Sequence, residues 1–301
     1  MAGGQERVLR RRIRSVQSTK KITKAMELIA ASQIVRSLNR MTANRPYRAG
    51  MARIVVEAAK GDPTAAAKLL GEPEERRRVV VLAIVADRGL SGPYNSSVLR
   101  TTERLLAELA TDGIETHLFT VGKKAQSYFR FRGQAVERSF LGMSERPTFA
   151  DARQVAAAVA APFVTGDADQ VLLVSTRYRS AGSQVVEALQ LLPLPDPATE
   201  EGDETTETEA GGYTEFEPDV ESLLAVLAPS AVESEVFTAL LEGAASFFTA
   251  QQRAMAAASD NADELIRTLS RTMNRARQDA ITTEIMEIVG GAEALRQSKG
   301  A

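Results

Sequence analysis

Between residues 7 and 45 the apolar positions recur at alternating steps of four and three, first Leu9, Ile13 and Val16, then Leu28, Ala31, Val35 and Leu38. That spacing keeps one face of a helix against a partner helix. The two series fall out of step across the basic Lys20, Lys21 and Lys24, which predicts a register shift and more than one packing neighbour. Pro46 predicts a kink or an end, and the pattern Met51, Ile54, Val55, Ala58 predicts that the helix resumes until Gly61-Asp62-Pro63 stops it. A second run, residues 230–290, has no proline and only Gly243 inside it. As one helix it would extend roughly 90 Å, far beyond the usual length in a globular domain, so it needs a partner along its length. Its apolar positions are Leu265, Leu269, Met273, Ala276 and Ala280, then Ile281, Ile285 and Ile288; Ala254, Ala256, Ala257 and Ala258 mark where another backbone comes close. Gly290-Gly291 weakens the helix near its end.

Between these runs the texture changes to alternating strand and helix. Strands are predicted at 79–86, 115–121 and 170–175, and helices at 96–110, 123–131 and 150–163. Such alternation argues for a mostly parallel sheet with right-handed crossovers. From Pro193 the chain turns Pro-rich and then acidic, from Asp196 to Asp219, without a Lys or Arg. A stretch of this kind buries too little apolar surface to order itself, and reads as a mobile solvated loop or as an acidic contact for a basic partner. A short helix at 219–227 follows, and Pro229 separates it from the last helix. The predicted architecture is α/β plus a long antiparallel coiled coil: terminal helices (1–60 and 220–301) form a shaft, with a small Rossmann-like domain (76–195) inserted between them and an acidic loop (196–219) after it.

Composition fits helical rods: aromatics are 5% of the chain, Trp is absent, and alanine is abundant. The net charge of −2 hides an asymmetry, since residues 1–60 hold fourteen Lys and Arg against three Glu. No cysteine is present, which excludes a disulfide framework, a thiolate nucleophile and a cysteine zinc site; one histidine, His117, leaves any metal site to carboxylates. The longest apolar run, 79–86, is eight residues and too short to span a bilayer. MAGGQERVLRRR lacks the apolar core of a signal peptide, and the helical pattern runs past Leu38 without a cleavage-like break, so an intracellular, soluble chain is expected.

Candidate chemistry is sparse. Ala86 to Asn95 (ADRGLSGPYN) follows the first strand and leads into a helix, where nucleotide folds place their phosphate loop, but it does not match GxGxxG. Gly122-Lys123-Lys124 lacks the upstream glycine and the Ser or Thr of a P-loop. The segment reads better as a tight turn at an interface, with Asp87 and Arg88 placed for polar contacts. His117 sits in an apolar strand with no carboxylate or histidine nearby in sequence, and reads as structural. Asn95-Ser96-Ser97 fits the glycosylation pattern by chance, and no Ser/His/acid set or cofactor motif can be nominated. The basic first helix suits nucleic acid or an anionic membrane surface in charge. Its coiled-coil spacing, and the lack of aromatics before Tyr47, favour a partner helix.

Three separated motifs carry a family resemblance: Arg11 to Ser32 (RRIRSVQSTKKITKAMELIAAS), DRGLSG at 87–92, and ARQDAITTEIMEIVGGAEAL at 276–295. With YTEFEP at 213–218 and AASDNA at 257–262, in the same order, they closely resemble the γ subunits of bacterial F-type ATP synthases. The resemblance implies a central-stalk rotor. Its terminal helices would turn inside a ring of three α and three β subunits, its α/β domain would sit with ε on the membrane c-ring, and ATP chemistry would belong to β. On this basis Lys20, Lys21, Lys24, Met26, Asp87, Arg88, Arg277 and Gln278 are expected to meet the stator, and Tyr213, Glu215 and Glu217 the c-ring or ε. The chain itself would hold no catalytic site and no cofactor, and would be peripheral at the cytoplasmic face of the cell membrane, held there only through the membrane sector. Ser91 stands where many relatives have cysteine, and no cysteine pair exists, so thiol regulation of the chloroplast kind is excluded. The rival from another class is a basic helical adaptor for nucleic acid or a membrane surface.

Overall fold

A computed structural model describes residues 2–61, 76–194 and 220–299. In chain order the elements are α1 (Ala2–Gly61), β1 (Arg78–Ile84), α2 (Tyr94–Thr111), β2 (Glu115–Val121), α3 (Lys123–Phe131), β3 (Arg138–Phe140), α4 (Phe149–Val164), β4 (Gln170–Tyr178), β5 (Gln184–Leu192) and α5 (Val220–Lys299). The chain divides into two compact units. One comprises Met1–Ile29 and Gln252–Ala301, the other Ala30–Gln251.

The larger unit is built on a five-stranded sheet in the order β3-β2-β1-β4-β5. The first four strands are parallel and β5 runs antiparallel to β4 at the edge. β1 reads RVVVLAI because both of its faces are covered, as parallel strands require. Val79, Val81, Ala83 and Val85 pack with Val98, Leu99, Leu106 and Leu109 of α2 and Ala125 and Phe129 of α3. Val80, Leu82 and Ile84 share a second core with Val155, Ala156 and Val159 of α4, and with Val232, Val236 and Leu240 of α5. α4 begins with a capping box: Thr148 Oγ1 accepts the amide of Asp151 at 3.2 Å, and the Asp151 carboxylate accepts the amide of Thr148 at 2.7 Å.

Within this unit α1 and α5 run antiparallel. Asn44 Nδ2 donates to Thr238 Oγ1 at 2.9 Å, and Arg48 Nε donates to Glu235 Oε1 at 2.7 Å. Tyr47, Phe149 and Phe237 stack edge to face, at 6.1 Å and 5.4 Å between successive centroids, and so tie α1, α4 and α5 together. The smaller unit repeats the antiparallel arrangement. Lys20 Nζ donates to Asp263 Oδ1 at 2.6 Å, the Thr23 and Ser259 hydroxyls meet at 2.7 Å, and Ile13, Met255, Ala262 and Leu269 are buried.

Several expectations need correction. Both long helices run through their prolines, Pro46 and Pro229, so no separate helix precedes Pro229. A proline inside a helix costs about 3 kcal/mol. At Pro46 the flanking turns are held by Asn44 and Arg48. At Pro229 they are held by the buried Ala228, Ala231 and Val232. α5 also continues through Gly290-Gly291 to Lys299. The register shift in α1 is absent: an unbroken seam of alternating three and four steps passes Ile13, Val16, Lys20, Thr23, Glu27, Ala30, Ile34, Ser37 and Met41, all buried or half-buried. Leu28 and Val35, assigned to the seam from their hydrophobicity, are 62% and 59% exposed. Small and polar residues (Thr23, Ala30, Ser37) alternate along the seam with the larger Ile13, Val16, Ile34 and Met41, so hydrophobicity alone does not pick it out. β3 and β5 were missed: one has three residues, and the other is half-exposed along most of its length. His117 is not without a carboxylate, since its Nδ1 lies 3.2 Å from Glu137 Oε1, twenty residues on.

Candidate functional site

Two groups of expected contact residues fall in the described regions, one in each unit. In the smaller unit Lys20 is half-buried and bound to Asp263, and Lys24 Nζ reaches both oxygens of Glu27 at 2.9 Å and 3.0 Å. Lys21 is exposed and Met26 half-buried. Ile22, Leu28 and Ile29 of the same helix are each about three-fifths exposed. Arg277 and Gln278 are exposed on α5, and every residue from 281 to 292 is exposed, including Ile281, Ile285, Met286, Ile288 and Val289. Five large aliphatic side chains on one short helical stretch form an apolar surface of the kind that marks an interaction site.

In the larger unit Asp87 and Arg88 lie in the turn from β1 to α2. The Asp87 carboxylate gathers three loops at the carboxyl edge of the sheet. Oδ1 accepts the amide of Lys123 at 2.9 Å, and Oδ2 accepts the amide of Gly142 at 3.0 Å and the Ser144 hydroxyl at 2.7 Å. The Asp87 amide donates back to Ser144 Oγ at 2.9 Å. Arg88 forms a bidentate pair with Glu145. Asn95 closes the turn, accepting the amide of Ala86 at 2.9 Å and donating to Arg88 O at 3.0 Å. Leu90, at its apex, takes φ +63° and is largely exposed. A leucine in the left-handed region is strained, and here the surrounding hydrogen bonds fix it.

A doubly wound sheet takes ligands in the crevice outside the carboxyl ends of its strands, where the strand order reverses. Here that place lies beside β1 and β4, and α5 fills it. A Cβ on Gly243 would stand 3.1 Å from Tyr94 Oη and 3.8 Å from Ile84 Cγ2. Glu242 Oε2 accepts the amide of Tyr178, at the end of β4, at 3.4 Å. Phe247 meets Tyr94 edge to face at 5.8 Å, and Phe248 and Ala86 complete the cluster. Burial pushes the Tyr94 hydroxyl and the Glu242 carboxyl above their ordinary ranges. The amide that opens α3, which a phosphate would use, already bonds Asp87. The sequence signal for this arrangement was Gly243, a lone glycine in a long helical run; Glu242 and Tyr94 carried no signal of their own.

Tyr213, Glu215 and Glu217, like the acidic stretch 196–219, lie outside the described residues. Among the described residues no helix is long and apolar enough to cross a membrane.

A family model described as ATP synthase matches residues 5–295. The ATP synthase gamma chain of Frankia casuarinae is 48% identical over 299 residues, covering 97% of this chain and 98% of the relative. That of Acidothermus cellulolyticus is 45% identical over 300 residues, with coverages of 97% and 98%. Among solved structures, a chain of the Tetrahymena thermophila mitochondrial ATP synthase central stalk and c-ring aligns with a TM-score of 0.60 at 26% identity, over 79% of this chain and 99% of that one. A chain of the Euglena gracilis mitochondrial ATP synthase aligns with a TM-score of 0.67 at 18% identity, over 99% and 97%, a likeness of fold.

Proposed function

We propose, from the premise that this chain belongs to the ATP synthase γ chain family, that it is the central-stalk rotor of an F1Fo ATP synthase and couples ion flow through the membrane sector to ATP synthesis on catalytic β subunits. The observation that carries the proposal is the match along nearly the whole chain, which takes in both long helices and the sheet domain together. The described surface supports it. A rotor turning in a sleeve needs side chains that present apolar and basic surface without deep pockets, and Ile22, Leu28, Ile29, Ile285 and Ile288 with Lys21 and Arg277 supply that.

In this proposal α and β subunits surround the helix pair, and ε and the c-ring meet the other end of the rotor. ATP hydrolysis and synthesis then belong to the complex and not to a site in this chain. Lys20 and Lys24 already have partners within the shaft, so any stator contact of theirs exchanges one carboxylate for another. Lys21, Arg277 and Gln278 are exposed and reach a partner at lower cost. Asp87 holds three loops of its own domain, so its contribution to a stator contact is to shape the Arg88 and Leu90 turn. A peripheral position on the cytoplasmic face follows from the same proposal.

Purification of the tagged chain from detergent-solubilised membranes tests it. Stoichiometric α, β and ε with ATP-driven proton pumping are expected after reconstitution. Recovery with nucleic acid, and without α and β, would refute the rotor and favour the basic adaptor.

A further inference from the structure

Three rings from three helices meet where α1 and α5 join the sheet domain. Phe149, the first residue of α4, lies 6.1 Å from Tyr47 of α1 and 5.4 Å from Phe237 of α5 between ring centroids, edge to face in both cases. The two polar ties across the helix pair, Asn44 to Thr238 and Arg48 to Glu235, bracket Tyr47 on one helix and Phe237 on the other. The domain holds its own ring in place. The capping box of Thr148 and Asp151 fixes the turn that carries Phe149, and the Arg153 guanidinium lies over its face at 5.5 Å. Arg153 Nε also donates to Glu233 Oε2 of α5 at 3.4 Å, and Arg40 of α1 donates to the carbonyl of Pro147. The three rings lie at the margin of the core: Tyr47 is 46% exposed, and Phe149 and Phe237 are half-buried. Pro46 stands beside Tyr47 and removes a backbone hydrogen bond from α1, so side chains supply stiffness that the helix lacks there.

We propose that Phe149 is the key of a keyed joint through which the helix pair turns the sheet domain and is turned by it. Tyr47 and Phe237 are the walls of the keyway, one for each sense of rotation. The inference rests on the rotor reading. A turn of the pair against the domain presses Phe149 onto the ring of one helix and draws it away from the ring of the other. Reversing the turn exchanges the two. Aromatic side chains suit this role, because each is rigid beyond two rotatable bonds, whereas a long aliphatic chain would yield by changing rotamer. Loss of one wall should therefore weaken transmission in one sense more than in the other, which a ring that merely packs would not do. ATP synthesis and ATP-driven pumping run the same coupling in reverse, so they turn a rotor in opposite senses.

The test uses the assembled complex in sealed vesicles. ATP synthesis under an imposed proton gradient and ATP-driven proton uptake are measured on the same preparation, each relative to the wild type. Tyr47→Ala should lower one of the two rates about two- to tenfold more than the other, the range that one edge-to-face contact is worth when converted to a rate. Phe237→Ala should shift the ratio of the rates in the opposite direction, and Phe149→Ala should lower both. Tyr47→Phe, which keeps the ring, should restore the wild-type ratio. Equal losses in the two directions for both alanine variants, or a shift of the ratio in the same direction for both, reduce the rings to packing and overturn the proposal. Should Phe237→Ala fail to assemble, Tyr47→Ala decides, because its ring is nearly half exposed: an unchanged ratio overturns the key, and an altered ratio restored by Tyr47→Phe supports it. A wild-type chain recovered without α and β refutes the rotor reading, and the key falls with it, whereas symmetric variants in a competent wild-type background refute the key alone.

Discussion

Gly122 joins β2 to α3 at φ +94°, and a Cβ added there would stand 2.3 Å from Val85 O, 2.8 Å from Val85 C and 2.9 Å from Ala86 C. Two costs follow for Gly122→Ala. An L-residue held in that backbone region costs about 1–3 kcal/mol. The overlap is with backbone and not with the end of a flexible side chain, so β1 must shift where Val85 N bonds Val121 O at 3.0 Å. Overpacking of this kind adds about 1–3 kcal/mol. Together they come to roughly 2–6 kcal/mol, a large part of the 5–15 kcal/mol that holds a typical domain folded. Gly113→Ala and Gly133→Ala separate the terms, since both glycines have positive φ, +74° and +71°, with nothing within 4 Å of the added Cβ. They should lose only about 1–2 kcal/mol. Urea unfolding of the full-length chain should be followed by tyrosine fluorescence, because Tyr94, Tyr128 and Tyr178 report on the sheet domain while circular dichroism is dominated by the long helices. If Gly122→Ala lies within about 1 kcal/mol of the two controls, the close-approach reasoning is wrong.

Asp87→Ala should destabilise the sheet domain by about 2–4 kcal/mol in urea unfolding, because it strands two backbone amides and a hydroxyl, and Asp87→Asn should recover part of the loss. Thr23→Val and Ser259→Val should each cost about 1 kcal/mol in thermal unfolding, since one hydroxyl donates to the other while the acceptor of that bond donates to a carbonyl of its own helix, Lys20 O at 3.0 Å or Met255 O at 2.9 Å. The double replacement should cost less than the sum, by a coupling of about 0.5–1 kcal/mol. Arg277→Ala should lower multisite ATPase turnover of the purified, assembled complex several-fold while assembly survives. Arg277→Lys should recover only part of it, and Arg267→Ala should serve as the exposed control. Turnover at the wild-type level in both Arg277 variants would return that residue to a solvated face.

The sheet was legible because its central strands are buried on both faces, and a short continuous apolar run rich in β-branched residues, such as VVVLAI, suits a covered parallel strand. β5 was not, because QVVEALQLL alternates weakly on a half-exposed edge. The contacts of His117 and Asp87 were hidden for a different reason: their partners, Glu137 and the Gly142–Ser144 loop, meet them only once the strands are in register. The seam of α1 was misread through a real physical ambiguity. Hydrophobicity marks every position that avoids water in the finished assembly, whichever partner covers it. Thr23, Ala30 and Ser37 face the chain's own helix, while Leu28 and Val35 face out, so a reading that follows the larger side chains follows the outer surface. If other subunits enclose the helix pair, as proposed, its apolar periodicity sums two patterns, one for each covering surface. In the middle of α1 the near seam holds the small Thr23, Ala30 and Ser37, and the outer face holds the larger Ile22, Leu28, Ile29 and Val35.

Occupancy of the sheet edge by the chain itself makes a nucleotide-like fold with no phosphate-loop motif coherent. A crevice at the carboxyl edge of a parallel sheet is a consequence of topology, and it must be filled by something if the buried ends of β1 and β4 are to stay dry. A ligand is one solution. A helix that crosses the edge is another, provided that one residue is small enough to pass the strand ends and its neighbours can satisfy the exposed amides. Gly243 meets the first condition against Tyr94 and Ile84, and Glu242 meets the second at Tyr178. Once α5 occupies the crevice, the glycines that phosphate binding requires have no function there. The loops are free to be tied by Asp87 and to project Arg88 and Leu90 outward. A rotor needs its helices joined firmly to the domain that carries them, and the place where related topologies hold a ligand becomes that joint.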